Sequence, residues 1–351
     1  MGGELHIVGL GPAGVGAAIA ASKMGLKPVI YESMPKAGVK PCGRGVPEVG
    51  DLPGRIPKDS IMSEVKGAIM YVDGEHLFEM RGFLEGYIVD KGRMLEAMAV
   101  EAGAEIVYRA KYDHKTGEVK LPGQGRVRLE RGVFAGGHPY YSGDKILAIQ
   151  WVMRGKPETP EGMLEIHFDT TIMGYLYVFP KDDKAFEVGI GGFSSRSRLL
   201  ARLEEFIKSR EDLRRMEKLR LEGAKIGLGG LRIGRLNGLV KAGESAGFVL
   251  PLTGEGIRPS MISGFEAARA MIEGSDPIKS MERSSMGRAV ETQKRILDLV
   301  MKLTVEKRRE LLKSLTPKAH AEIALGRLRK AVLALELAKS PRAASILLQA
   351  L

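Results

Sequence analysis

The chain opens with ELHIV, an apolar β-type run, then a glycine turn, an apolar stretch from Val15 to Met24 and a second run, KPVIYE. Strand, glycine turn, helix and strand in this order predict a βαβ unit. KGAIMYV and HLFEM flank Asp73-Gly74, a dipeptide that favours a tight hairpin. GYIVD leads into a helix over about Gly92 to Ala102 and then into the strand AEIVYRA. RVRLERGVFAGG is expected to form one further strand ending in glycines. Between Lys145 and Phe193 the pattern is mostly β, with ILAIQWVM, MLEIHF, YLYVF and FEVGIGGF. Residues 197 to 219, dense in charge, read as helix, and IGLGG, LRIG and GLVKAG return to strands. A turn from Thr253 to Gly256 opens a helix over about Arg258 to Ile272, and beyond Met281 the chain reads as helical, broken at Pro317 and Pro341. There is no internal repeat and no low-complexity segment.

A chain that leaves a βαβ unit for a β-rich stretch and then returns predicts a discontinuous nucleotide domain with a second domain inserted. The expected division assigns 1–60, 85–144 and 226–280 to the nucleotide domain, 61–84 and 145–225 to the insert, and 281–351 to a basic helical region.

Composition narrows the chemistry. Of 351 residues, 44% are hydrophobic and 28% charged, as in an ordinary globular protein with a large core. A single cysteine, Cys42, excludes an internal disulfide and a cysteine-ligated cluster or zinc ribbon. No apolar run reaches the ~18 residues of a spanning helix. The apolar N-terminus mimics a signal peptide but lacks its basic leading segment. The net charge of +11 is concentrated at the end, where residues 281–351 hold 15 Lys/Arg against 7 Asp/Glu. Such a tail fits an anionic partner or equally a solvated helical face.

Gly9, Gly11 and Gly14 form G-x-G-x-x-G between the first strand and its helix. The spacing permits a tight turn, a pyrophosphate against the backbone and close helix–strand packing. Free amides at the helix start supply the anion site. Glu32 ends the second strand, where a carboxylate accepts hydrogen bonds from a ribose, which favours FAD or NAD over NADP. A second such opening lies in AGESAGFVLPLTGEGI, residues 242–257, where Glu244 follows a strand and a glycine turn precedes a helix. Its amides can face a delocalised anion, or can simply form a helix cap.

Four segments in order resemble the FAD-dependent geranylgeranyl reductase family, which has the p-hydroxybenzoate hydroxylase type of flavoprotein fold. They are VGLGPAG with Glu32, KPCG at 40–43, GYLYVFPK at 174–181, and AGESAGFVLPLTGEGI. The similarity spans roughly residues 5–270. The chain departs from the family pattern at Tyr177, where a tryptophan is usual, and at Glu244 in place of aspartate. It also has Gly136-Gly137 in place of Asp-Gly, and Lys91 in place of arginine, with Arg93 two residues on.

The resemblance implies an α/β fold: a discontinuous Rossmann-type FAD-binding domain, an inserted β-rich substrate domain and a C-terminal helical region. It implies cofactor contacts from Gly9, Gly11, Ala13, Gly14, Glu32, Cys42, Gly43, Gly45, Lys91, Tyr112, Glu244, Gly254, Gly256 and Ile257. Cys42 would lie beside the flavin ring and, with Tyr175 and Tyr177, carry the chemistry; the alternative for Cys42 is a small buried hydrophobe. Tyr175, Tyr177 and Phe179 alternate along one strand and so share a face, which with Pro180 would line an isoprenoid chain, or form plain sheet core. His138 and His167 lie nearest these segments and read as structural. No histidine pair has metal-ligand spacing, and no metal is expected.

The function implied is saturation of geranylgeranyl double bonds on prenyl or ether lipid precursors by hydride from reduced FAD. A monooxygenase of the same fold, or a non-catalytic flavin-bearing binding protein, is the alternative. The electron donor is left open between NAD(P)H and a ferredoxin-like protein, since the sequence shows no second glycine fingerprint for NADPH and no clear nicotinamide subdomain. Ala321, Leu325, Leu328, Val332, Leu335 and Ala338 form an apolar helical stripe, with Arg327, Arg329, Lys330 and Lys339 mostly off it. It would dock on the protein's own core or on a membrane surface. The tail has no aromatic residues for base stacking, so nucleic acid is not expected. The expected location is the cytoplasm, peripheral to the inner face of the membrane.

Overall fold

The computed structural model describes residues 3–327 except Gln124 and Asp183, together with Ala338 and Pro341. A six-stranded sheet runs in the order Arg235–Leu236, Leu239–Lys241, Val133–Phe134, Glu4–Val8, Lys27–Glu32, Glu105–Tyr108. All its pairings are parallel except the one at the Arg235 edge. Parallel strands are buried on both faces, and the period of two sorts the side chains. Leu5, Ile7 and Ile30 face the helices, while Val8, Val29 and Tyr31 face a small sheet of Lys111–Asp113, Glu118–Lys120 and Arg126–Arg128.

Helix Pro12–Lys23 is built of small residues because it is wedged between this sheet and helix Ile257–Ile272. A Cβ on Gly16 would lie 1.9 Å from the Met261 carbonyl oxygen, and one on Gly264 would lie 1.9 Å from that of Ala13. The two helices therefore touch backbone to backbone, and their N-terminal ends are held in fixed relation.

The second sheet has seven strands, in the order Glu217–Gly227, Lys145–Arg154, Ala185–Gly192, Gly174–Asp182, Met163–Asp169, Gly67–Val72, Glu75–Glu79. Its pairings are antiparallel except that between Met163–Asp169 and Gly67–Val72. One face packs Ile149, Val188 and Ile190 against Leu199 and Leu203 of helix Arg196–Ser209. The other face, carrying Tyr175, Tyr177 and Phe179, lines the site described below. Asp73-Gly74 makes the expected hairpin, with φ of 49° and 88°.

Three expectations are corrected. LRIG, expected as a strand, has no regular structure, and the strand Arg235–Leu236 begins only after it. The helix expected over 197–219 ends at Ser209; after a short turn of helix at Glu211–Arg214, Glu217–Gly227 is a strand. Its alternating charges resemble a polar helix, but pairing with Lys145–Arg154 decides the outcome, and a charged edge discourages pairing with other chains. RVRLERGVFAGG is two strands, Arg126–Arg128 and Val133–Phe134, in different sheets. Gly132, at φ 152°, turns the chain between them where a Cβ would meet the His6 carbonyl at 2.2 Å.

Helices Pro277–Arg283, Ser285–Met301, Val305–Ser314 and Pro317–Ala324 follow, and Pro317 opens its helix in the first turn. Of the expected apolar stripe, Ala321 and Leu325 are buried; Leu328, Val332, Leu335, Arg329, Lys330 and Lys339 lie outside the described residues. Among the described residues no helix is long and apolar enough to cross a membrane.

Candidate active site

Among the described helices of seven or more residues, two lack a side-chain N-cap: Pro12–Lys23 and Ile257–Ile272. The others are capped by Asp90, Ser195, Asp276, Ser284, Thr304 and Thr316. The uncapped ends keep amides free for an anion. At the first, Gly9 has φ 100° and packs against Ala135, Gly14 packs against the Gly9 carbonyl, and a Cβ on Gly11 would meet nothing within 4 Å. The open side of Gly11 is where a pyrophosphate can approach. Glu32 Oε2 accepts from the Leu10 amide at 2.7 Å and Oε1 from the Met34 amide at 2.8 Å, which fixes the carboxylate beside the turn.

Ala13 lies under Gly243, whose Cβ would come within 2.7 Å of its own, so the second glycine segment meets the first. The adjacent Glu244 accepts from Lys40 Nζ at 2.6 and 2.8 Å and from the Gly227 amide at 3.1 Å. Lys91 Nζ donates to the Lys40 carbonyl. The Cys-Gly loop is thereby tied to the second glycine segment and to helix Lys91–Glu101. Burial, then the Lys40 charge, pushes the nearby His138 imidazole below its ordinary range. Tyr112 sits elsewhere, with its ring on Phe134 and its hydroxyl accepting from Asn237.

A cavity of about 380 Å³ begins at Cys42, Gly43, Gly254 and Ile257 and ends among Leu311, Leu315, His320 and Ile323 of the C-terminal helices. Its lining is predominantly apolar. Tyr175, Tyr177 and Phe179 form one wall, with Tyr177 and Phe179 centroids 4.6 Å apart, whereas Pro180 is not among the lining residues. Gly43 lies on this wall: a Cβ there would come within 3.0 Å of the Phe179 ring.

Both tyrosine hydroxyls are committed. Tyr175 donates to the Thr253 carbonyl, and Tyr177 donates to Gln150 Oε1 at 2.6 Å, whose Nε2 donates on to Glu222. Burial pushes Tyr175 up to about 12 and Tyr177 well above its ordinary value, so neither phenol releases its proton readily. Glu255 and the fully buried Arg258 pair at 2.9 Å, and Arg258 also holds Asp51 and the Leu325 carbonyl, which pins the second glycine turn to the C-terminal helices.

Sequence reasoning missed Arg44, Gln150, Glu187 and His320. His320 lines the cavity, donates from Nε2 to the Leu312 carbonyl and packs on Phe78 and Phe168. A polar residue inside an apolar run, such as Gln150 in ILAIQWVM, was the available signal. His167, read as near the site, pairs with Glu165 in a buried network with Arg210. Among the described residues no acidic, histidine or cysteine cluster has metal-binding geometry.

No protein-family model matches the chain. It is 27% identical over 308 residues to the digeranylgeranylglycerophospholipid reductase of Thermoplasma acidophilum, covering 77% of this chain and 78% of that one. Among solved structures it is similar to a geranylgeranyl bacteriochlorophyll reductase-like protein from the same organism, with a TM-score of 0.82 and 22% identity over 99% of each chain. A flavoprotein/dehydrogenase from Cytophaga hutchinsonii gives a TM-score of 0.71 at 14% identity, again over 99% of each chain. The uncapped glycine turns, the Cys-Gly loop and the aromatic strand thus lie in a Rossmann-type flavoprotein fold, on a chain similar for three quarters of its length to digeranylgeranylglycerophospholipid reductases.

Proposed function

We propose that the chain is an FAD-dependent reductase that saturates carbon–carbon double bonds of geranylgeranyl chains on ether lipid precursors. The single observation that carries this reading is the apolar cavity that starts at the Cys42–Gly43 loop and the Gly254 turn and continues among the C-terminal helices. FAD fits the residues present: two uncapped helix ends, an open Gly11 and a carboxylate at Glu32. Gly9, Gly11, Ala13, Gly14 and Glu32 would hold its adenosine diphosphate, and Gly43, Gly45, Glu244, Gly254, Gly256 and Ile257 its flavin end. The reduced cofactor supplies a hydride to one alkene carbon.

The protein's own task is to position the alkene and exclude water, since an unactivated double bond is a poor hydride acceptor. Tyr175, Tyr177 and Phe179 hold the chain flat against one wall, and Cys42 carries a proton at its Sγ for the other alkene carbon. Burying some twenty carbons at ~0.8 kcal/mol per methylene gives about 16 kcal/mol before the costs of ordering, ample for positioning.

The proposed division is an FAD domain (1–60, 85–144, 226–280), a substrate domain (61–84, 145–225) and a helical region (281–351). Reducing equivalents come from NAD(P)H or a ferredoxin-like protein, and the basic end of the chain rests on the cytoplasmic face of a membrane. The test is anaerobic reduction of the FAD-loaded protein, then addition of a geranylgeranyl ether lipid. Reoxidation with product masses rising in steps of two hydrogens supports the reading. Reoxidation only by oxygen, with a hydroxylated product, replaces it with a monooxygenase.

A further inference from the structure

Arg44 and Glu187 form a second pair of functional groups at the wall of the cavity. Arg44 follows Cys42-Gly43 and holds φ at 59°, a left-handed backbone uncommon for a non-glycine residue. It lines the cavity, and no hydrogen bond holds its guanidinium among the described residues. Its nearest anion is Glu187, with Nη2 3.6 Å from Oε1, an ion-pair separation too long for a hydrogen bond.

Glu187 is 2% exposed, and its Oε1 has no hydrogen-bond partner. Strand register puts it on the cavity face: it lies opposite Phe179 on one neighbour and Val152 on the other, two residues from Gly189, which lies opposite Tyr177 and Gln150. The charged and titratable groups around it are Arg44 from the loop, Lys181 and Tyr177 from one strand, and Glu222 and Arg220 from another. Burying a carboxylate with an unbonded oxygen is unfavourable, so the acid holds its proton more tightly than usual; burial is the largest cause, and Arg44 only partly opposes it. A carboxyl this loosely paired has two arrangements. Neutral, it leaves Arg44, two residues along the loop from Cys42 and lining the same cavity, as a bare cation; ionised, it compensates that cation.

We propose that Glu187 is a positioning residue of this site, acting through Arg44: it sets whether the Cys42–Gly43 loop presents a bare or a compensated guanidinium to the cavity. Its bearing on catalysis rests on the reduction proposed above, because a bare cation beside the reacting centre favours negative charge there. The local arrangement does not depend on that reaction, so the two can fail separately.

Because Cys42 is the sole cysteine, its labelling reports the loop charge directly. The experiment labels the cofactor-free full chain from pH 5 to 9 with an anionic disulfide, dithionitrobenzoate, and with neutral iodoacetamide. The ratio of the two rates cancels the ionisation of the thiol itself and reads the field around it. In the unaltered protein the ratio falls about three- to tenfold through one inflection as pH rises. Glu187→Gln holds the ratio high with no inflection, Glu187→Asp restores the inflection at a displaced pH, and Arg44→Gln holds the ratio low throughout. A flat ratio in the unaltered protein, or an unchanged inflection in Glu187→Gln, overturns the proposal. Circular dichroism matched to the unaltered protein is required of each variant, and Glu187→Asp supplies the outcome if Glu187→Gln does not fold.

Discussion

The Tyr177–Gln150 hydrogen bond gives the sharpest test of the aromatic wall. Tyr177 is 7% and Gln150 3% exposed, and their contact is 2.6 Å. Tyr177→Phe keeps the ring against Phe179 but leaves the buried Gln150 Oε1 without its partner, costing about 1–3 kcal/mol. Gln150→Met strands the Tyr177 hydroxyl instead and also removes the donor to Glu222, for a similar cost. Removing both partners leaves two apolar groups of nearly unchanged shape, so the double variant should recover much of the loss, with a coupling of about 1–3 kcal/mol. Urea unfolding of the four proteins measures this without any cofactor. Additivity within about 0.5 kcal/mol would show that the two groups act independently and would refute the polar file drawn behind the aromatic wall.

Other predictions follow from the same geometry. Gly11→Ala, at φ −89° with open space around its Cβ, should leave the melting temperature of the cofactor-free protein unchanged yet abolish FAD uptake seen by flavin absorbance. Gly264→Ala, whose Cβ would sit 1.9 Å from the Ala13 carbonyl, should destabilise the cofactor-free protein by about 1–3 kcal/mol or more, read as a fall in melting temperature. Cys42→Ala should slow reoxidation of reduced flavin by a prenyl substrate about a hundredfold in stopped flow, with FAD affinity retained. Burial raises Glu165, but hydrogen bonds from His167, Arg210 and Thr159 outweigh it and hold the carboxyl at about 2. Its stabilising contribution is complete above 4.5 and is lost as pH falls toward 2, so Glu165→Gln should flatten acid unfolding over that window.

The parts of the molecule legible in the sequence are those fixed by neighbours along the chain. Gly9, Gly11 and Gly14 answer to one turn and one helix start, Asp73-Gly74 to a two-residue loop, and Tyr175 to Phe179 to the pleat of a single strand. Each constraint spans few residues, so residue type and spacing suffice. The strand Glu217–Gly227 shows where that reasoning stops. Its local pattern is as good for a polar helix, and only the register against Lys145–Arg154 makes it a strand.

The polar groups of the cavity depend on register in the same way, and more severely. Gln150, Tyr177, Glu187 and Glu222 come from four strands, and a shift of one residue in any pairing would turn its member to the opposite face, against Leu199 and Leu203. Arg44 reaches Glu187 across 143 positions, and Arg258 reaches the Leu325 carbonyl across 67. No local signal encodes such contacts. The apolar neighbours that would make a wrong register costly are what hold these polar groups in place: Phe186, Val188 and Ile190, on strand Ala185–Gly192, are fully buried. An apolar-to-polar change at Val188 should therefore disturb the charge around Cys42 from the far side of the sheet. The labelling ratio would detect this as a lost inflection, with no site residue altered.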